Sequence, residues 1–358
     1  MNDRLSRDLQ RHGKARSFAH SAALHATVMA IATGFLSLRT FASTQIVPGS
    51  LDVHWQQGAQ DCKVTTEKSL QVHAYNPQTY ILRQSLCASF EGNFIYLLIG
   101  SDRALLIDTG AIADAQKMPL ADLVLKLLPG KGNEKLPLLV VHTHSHTDHR
   151  DGDPQFQSLR LVEVVPWEAG GMRTHFGFGD WPNGVAHIEL GGRTVDVTPT
   201  PGHHPFHLVF YDRQTGLLFS GDFLLPGRLL IDDVTAYEKS GLRVVDFFKT
   251  RPLTHILGGH IELDADGQVY SWGSHYHPKE HRLELSKTDL LALPSSLAAF
   301  NGFYAPHRNY ILVNPIHNLE LLASVALALL VLTVWGVRKW LRRRRATVAQ
   351  LHPKANRG

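Results

Sequence analysis

The 358-residue sequence predicts a layered α/β domain followed by a membrane-crossing helix, and three observations carry that reading. Short apolar runs bounded by turn residues recur from residue 90 to residue 257, in two groups. Stretches with helical spacing lie among them at residues 121–128 and 236–249, the alternation expected of stacked sheets and helices. A separate uncharged apolar run near the C-terminus adjoins a block of arginine and lysine. The length allows one large domain or two ordinary ones, with a sizeable core.

Taken in order, residues 1–43 carry a basic leader and then the apolar stretch Ser17 to Leu38, interrupted by His20 and His25. Thr40 and Ala42 occupy the minus-three and minus-one places of a cleavage site. A signal peptide and an uncleaved signal anchor both fit, and both put residues 44–317 outside the cytoplasm, which in a Gram-negative cell is the periplasm. Residues 44–89 read as an N-terminal extension of this ectodomain. They hold the only two cysteines, Cys62 and Cys87, which are expected to pair where oxidation is permitted, with two buried thiols as the alternative.

Residues 90–282 read as the main domain. Phe94 to Ile99 and Ala104 to Ile107 form a hairpin pattern, Ala121 to Leu128 a helix ended by Gly130, and Leu136 to Val141 the next strand. Leu161 to Val165 follows, then His187 to Leu190, Thr194 to Thr198, His207 to Tyr211 and Leu217 to Ser220. Thr254 to Leu257 is the last strand, after the 236–249 helix. Residues 283–317 are a C-terminal extension, 318–340 a transmembrane helix and 341–358 a basic cytoplasmic tail. Within the helix, Leu321 to Val337 has no charge, and its 17 positions span about 26 Å at ~1.5 Å per residue. Arg338, Lys339 and Arg342 to Arg345 come next, with Trp335 and Trp340 at the same boundary, as at the cytoplasmic end of a spanning helix.

Charge placement limits the possible partners. The chain carries +4 overall, but residues 1–40 hold +4 and residues 338–358 hold +8, which leaves −8 on the body. An acidic body disfavours nucleic acid, whose phosphates need cationic surface. A small-molecule substrate and the lipid bilayer are the partners expected, and no protein partner is indicated.

The chemistry-bearing residues cluster where strands end. His142, His144, His146, Asp148 and His149 crowd into VVHTHSHTDHRDGD, directly behind the apolar run 136–141. In an extended segment His144 and His146 project to one side, while Asp148 and His149 turn toward a second position. Imidazole and carboxylate together suit zinc, and after it iron or manganese. His203 follows a tight Pro201-Gly202 turn, Asp222 follows Ser220-Gly221, and His260 follows Gly258-Gly259. Each is a ligand type delivered immediately after a β run, beside small residues that permit close backbone approach.

These stretches, with Leu106-Ile107-Asp108-Thr109-Gly110 and in this order, resemble the metallo-β-lactamase-fold hydrolase superfamily over roughly residues 90–275. The resemblance implies a four-layer αββα sandwich with the site at one edge of two packed sheets. It assigns His144, His146 and His203 to a first metal, Asp148, His149 and His260 to a second, and Asp222 to a bridge between them. Two zinc ions would acidify a shared, bridging water to hydroxide and polarise the carbonyl it attacks, with Asp148 as the catalytic proton carrier. Asp108 supports the site from behind. His142 is read as packing or supporting, and His207 as a hydrogen-bonding neighbour of the site. Arg228 either meets an anionic substrate group or forms a structural ion pair. The segment VYSWGSHYHPKEH, with Tyr270, Trp272, Tyr276, His275, His277 and His281, either borders the pocket or is a plain surface loop.

The function this implies is a membrane-anchored dinuclear zinc hydrolase that cleaves an ester, lactone, thioester or amide-like bond of a small molecule. A β-lactamase is the alternative enzyme, although Asp222 stands where one β-lactamase subclass has cysteine. A metal-binding sensor or scaffold ectodomain is the alternative outside enzymes, and it has no need of so complete a ligand set.

Overall fold

The computed structural model describes residues 45–131 and 134–351. The signal peptide or anchor expected over residues 1–43 lies outside the described residues. The first sheet contains β1 (Leu70–Asn76), β2 (Thr79–Gln84), β3 (Phe94–Ile99), β4 (Ala104–Ile107), β5 (Leu138–Val141) and β6 (Val162–Val164), side by side in chain order. The second contains β7 (Ala186–Glu189), β8 (Thr194–Pro199), β9 (Leu208–Asp212), β10 (Leu217–Gly221), β11 (His255–Gly258) and β12 (Glu284–Leu285). Neighbours pair antiparallel except β4 with β5, β5 with β6, and β10 with β11. A parallel pair requires a crossover connection. Helix α1 (Leu120–Leu127) supplies one, a segment containing the short α2 (Thr147–Arg150) the next, and α4 (Val234–Phe247) the third, while α3 (Ala169–Phe176) leads toward the second sheet.

The period-two geometry of a strand separates its apolar residues onto two faces, and here both faces are covered. On β3, Phe94, Tyr96 and Leu98 enter the core between the sheets, where they join Leu105, Ile107, Leu139 and Val141 and meet Val197, Leu208, Phe210 and Phe219 from the other side. The alternate residues Ile95, Leu97 and Ile99 pack with Leu106 and Val140 under Leu120, Ala121 and Val124 of α1. On the far side, Val209, Tyr211, Leu218 and Ile256 pack under Tyr237 and Val244 of α4, with Leu290, Leu293 and Leu297 of α5 (Lys287–Ala298). The layers therefore run helix, sheet, sheet, helix. Asp233 caps α4 by accepting from the Ala236 amide, and Ser286 and Asp289 form a reciprocal capping box on α5.

Residues 44–89 contribute β1 and β2 to the first sheet, and Cys62 is disulfide-bonded to Cys87 within that stretch. Residues 283–317 contribute β12 and α5 to the second layer pair. A small third sheet joins Arg228–Leu230 in parallel to Ile311–Val313, which pairs antiparallel with Tyr304–Pro306. Directly after it, α6 runs from Pro315 to Leu351, and its Pro315–Ala346 portion is long and apolar enough to cross a membrane.

Candidate metal centre

Strand direction explains why residues far apart in sequence converge. β4 and β5 are parallel, so Asp108 and the loop 142–146 leave the first sheet at one edge. In the second sheet β8 and β10 both run antiparallel to β9, and β11 runs parallel to β10, so His203, Asp222 and His260 all follow strand ends at a single edge. The single turn of α2 then rotates Asp148 and His149 away from His144 and His146.

Two groups of donor atoms result. The Nε2 of His144 lies 2.9 Å from Nδ1 of His146, and Nε2 of His203 lies 3.2 Å from each of them. Zinc–nitrogen bonds of ~2.0–2.1 Å in a tetrahedron place ligand atoms about 3.3 Å apart, close to this triangle. In the second group, Nε2 of His149 is 3.1 Å from Oδ2 of Asp148 and 3.4 Å from Oδ1 of Asp222. Nε2 of His260 is 3.3 Å from His149 Nε2, 3.3 Å from Asp148 Oδ2 and 3.4 Å from Asp222 Oδ1. The other oxygen of Asp222 turns to the first group, 3.5 Å from His203 Nε2 and 3.9 Å from His144 Nε2. Asp222 thus offers one oxygen to each group.

The surrounding atoms fit cations at both positions. His149 Nδ1 bonds Asp108 Oδ2 at 2.9 Å, His203 Nδ1 the Leu230 carbonyl at 2.8 Å, and His260 Nδ1 the Glu91 carbonyl at 2.8 Å. A ring that donates through Nδ1 presents an Nε2 lone pair, the form that ligates metal. Thr143 extends the support: its hydroxyl donates to Asp108 Oδ2 at 2.9 Å and lies 3.1 Å from His144 Nδ1. Asp222 Oδ1 is buried without a hydrogen-bond partner although two imidazoles face it, an arrangement a cation would satisfy. Gly259 is required here, because a Cβ would stand 2.6 Å from Asp222 Oδ1 and 2.9 Å from His149 Cε1.

Electrostatics separates the groups further. Burial, then the neighbouring imidazoles, hold His144 well below the ordinary histidine range, and burial and His203 lower His146. Burial opposes protonation of His149 too, but Asp148, Asp222 and Asp108 outweigh it and raise it well above that range. His260 is likewise pushed up to about 10 against its burial, by Asp222 and Asp148. Burial alone would raise the Asp148 and Asp222 carboxyls, yet His149 and His260 hold both below the usual carboxylate range. Neutral imidazole is therefore favoured at His144 and His146, whereas the second group balances two carboxylates against protons that a bound cation would replace.

The remaining sequence-derived residues fall into place around these groups. His142 bonds Asp153 Oδ1 at 2.8 Å and is occupied in packing beneath the loop. His207 is buried, 2.8 Å from Thr200 Oγ1, with its ring stacked on His144. Arg228 forms an ion pair, with Glu262 at 3.2 Å, and donates to the Tyr270 carbonyl. His277 stacks on Tyr270 and bonds Glu280, which also pairs with the buried Arg83; this makes the segment after residue 270 part of an internal network, with Trp272 outermost. Asn93 was not legible as a site residue, but its buried side chain donates to Asp148 Oδ2 at 3.2 Å. Its only signal is a lone amide at the head of an apolar strand.

A family model of the metallo-beta-lactamase superfamily matches residues 89–272, and the chain belongs to that superfamily, among its hydrolases. It is similar to an acyl-coenzyme A thioesterase of Gallus gallus, with 27% identity over 217 residues that cover 52% of this chain and 78% of the relative. It is also similar to a hydroxyacylglutathione hydrolase of Dechloromonas aromatica, at 31% identity over 144 residues; that match covers 40% of this chain and about half, 48%, of the relative. Among solved structures it is similar to a metallo-beta-lactamase from Pontibacter korlensis, with TM-score 0.43 and 17% identity, covering 64% of this chain and 100% of that one.

Proposed function

We propose that this chain is a membrane-anchored dinuclear zinc hydrolase that cleaves a thioester or ester of a small acyl compound on the extracytoplasmic side of the membrane. The observation that carries this reading is Asp222, whose two oxygens face two separate groups of convergent donors. His144, His146 and His203 would hold one cation, Asp148, His149 and His260 the other, and Asp222 both. Bound there, two cations supply Lewis acidity and make water a nucleophile near neutral pH.

The chain's own residues do the rest. Asp108, Thr143, and the Leu230 and Glu91 carbonyls keep the imidazoles in one tautomer and one orientation. Asp148 is steadied by Asn93 and partly open to solvent, so it is placed to take the proton of the attacking water and return it to the departing sulfur or oxygen. A thioester is favoured among acyl substrates because one relative is named a thioesterase and another a hydrolase of an acylglutathione. The basic residues after Val337 argue for a cytoplasmic C-terminus, and hence for a site on the opposite side.

The test is direct. The purified chain should bind about two zinc ions and hydrolyse at least one member of a panel of thioesters, esters, lactones and β-lactams. Asp222→Ala should lower turnover on the order of 10³-fold while leaving the far-ultraviolet spectrum unchanged. Full metal occupancy without turnover of any panel member would refute the hydrolase reading.

A further inference from the structure

Helix α6 is joined to the candidate metal centre by a short path. His203 Nδ1 bonds the Leu230 carbonyl at 2.8 Å, Leu230 pairs with Val313, and the Ile231 amide donates to the Val313 carbonyl at 2.8 Å. Two residues after Val313, α6 begins. No flexible linker intervenes. Asn314 Oδ1 accepts from the His317 amide at 2.8 Å, its own amide donates to the Phe303 carbonyl, and Asn318 Nδ2 donates to that same carbonyl at 3.1 Å. His317 Nδ1 lies 2.9 Å from the Gly302 carbonyl. The first turn of α6 is thereby clamped to the domain.

These links set a ceiling on the height of the site. From Val313 to Leu321, where the uncharged run starts, two extended steps and six helical ones reach at most ~16 Å. Adding a strand spacing of ~4.8 Å, the reach of the Leu230 carbonyl, one hydrogen bond and the width of the His203 ring gives a limit of about 28 Å from Leu321 to the donor triangle. A domain of about 270 residues is ~48 Å across for a radius of gyration of ~18 Å. The site therefore cannot lie at the far end of the domain from the foot of α6, whichever way the helix tilts. A second observation agrees: Phe303 and Tyr304 are 38% and 48% exposed beside the clamped turn, and Phe303 lies against His317. Partly exposed aromatics at the foot of a spanning helix suit the headgroup region.

We propose that the centre acts at the bilayer surface on an amphiphile held in the same membrane by a long acyl chain, a long-chain acyl thioester or ester. The inference rests on the hydrolase reading above. Confinement to one surface raises the effective concentration of such a substrate, whereas a freely soluble one gains nothing from a short rigid tether. In the reaction, water adds to the acyl carbon, the bond from that carbon to sulfur or oxygen breaks, and the proton passes to the departing atom. The products are a fatty acid left in the membrane and a thiol or alcohol.

The experiment uses the full chain with zinc, in phosphatidylcholine vesicles. A palmitoyl thioester is supplied either in the same vesicles or in separate ones, and the acetyl thioester of the same thiol is supplied in solution. Cleavage in the same vesicles should exceed cleavage across vesicles by about tenfold or more. Inserting seven helix-forming residues between Glu320 and Leu321 lifts the domain by ~10 Å. That variant should lose about tenfold on the vesicle-held palmitoyl thioester and keep its acetyl rate. Equal rates within and across vesicles, or a spacer that leaves the palmitoyl rate unchanged, would overturn the proposal. Failure of the unmodified chain on both thioesters would overturn the proposal as well, whereas failure that extends to the esters, lactones and β-lactams at full metal occupancy would remove the hydrolase reading.

Discussion

Replacing Asp108 with asparagine separates the support of the centre from its ligands. Asp108 is buried, with φ of 67°, a left-handed conformation that asparagine also tolerates, so the backbone should survive the change. Its Oδ1 accepts the Thr143 amide at 2.7 Å, and an asparagine carbonyl in that place keeps the bond. Its Oδ2 accepts from His149 Nδ1 and from the Thr143 hydroxyl, both at 2.9 Å, and an amide nitrogen there opposes two donors. His149 must then move its proton to Nε2, the atom facing Asp148 and Asp222, or rotate. Loss of a carboxylate behind a ligating histidine typically lowers metal affinity 10–100-fold, about 1.4–2.7 kcal/mol. The loss should fall chiefly on the second group, because His144 meets Asp108 only through Thr143. Competition against a chelator, with two resolved zinc affinities, measures it. Unchanged affinity at both positions, or an equal loss at both, would refute the reasoning.

Other expectations follow from single contacts. Gly259→Ala would press a Cβ against Asp222 and His149; zinc content should fall toward one ion per chain while stability drops by no more than ~3 kcal/mol, as read by metal analysis and urea unfolding. Breaking the Cys62–Cys87 bond, whose partners are 25 residues apart, should destabilise by about 3.5 kcal/mol on the loop-entropy relation and leave zinc binding intact. Arg193→Met would strand the buried Asp212 carboxylate, which Arg193 now meets at 2.7 and 3.1 Å, and should lower stability by about 3–5 kcal/mol; a double variant that also neutralises Asp212 should recover part of the loss.

Much of the candidate centre was legible because its convergent donors come from short motifs at strand ends. His144, His146, Asp148 and His149 sit within six positions, and the small residues before His203, Asp222 and His260 mark close approach of backbone to ligand. Central strands were legible as apolar runs because both their faces are buried. Edge strand β1 was not: its residues Gln71, His73 and Val72 face solvent or loops, so it lacks that run. The ion-pair partner of Arg228 was not legible, because a sequence shows a cation without its partner and Glu262 is 34 residues away.

The sequence by itself determined the ligand types, their order, the alternation that layers the domain and the apolar helix near the C-terminus, because each is a local pattern of residue chemistry. Tertiary structure alone decided which nitrogen of each imidazole faces inward, that Asp222 divides its oxygens between two groups, and that Asn93, Thr143 and two backbone carbonyls hold the ligands. It also decided that His203, one of the convergent donors, is linked through one strand pair to the foot of the apolar C-terminal helix. Those relations join atoms from strands far apart in the chain, and only the folded sheets bring them within hydrogen-bonding distance.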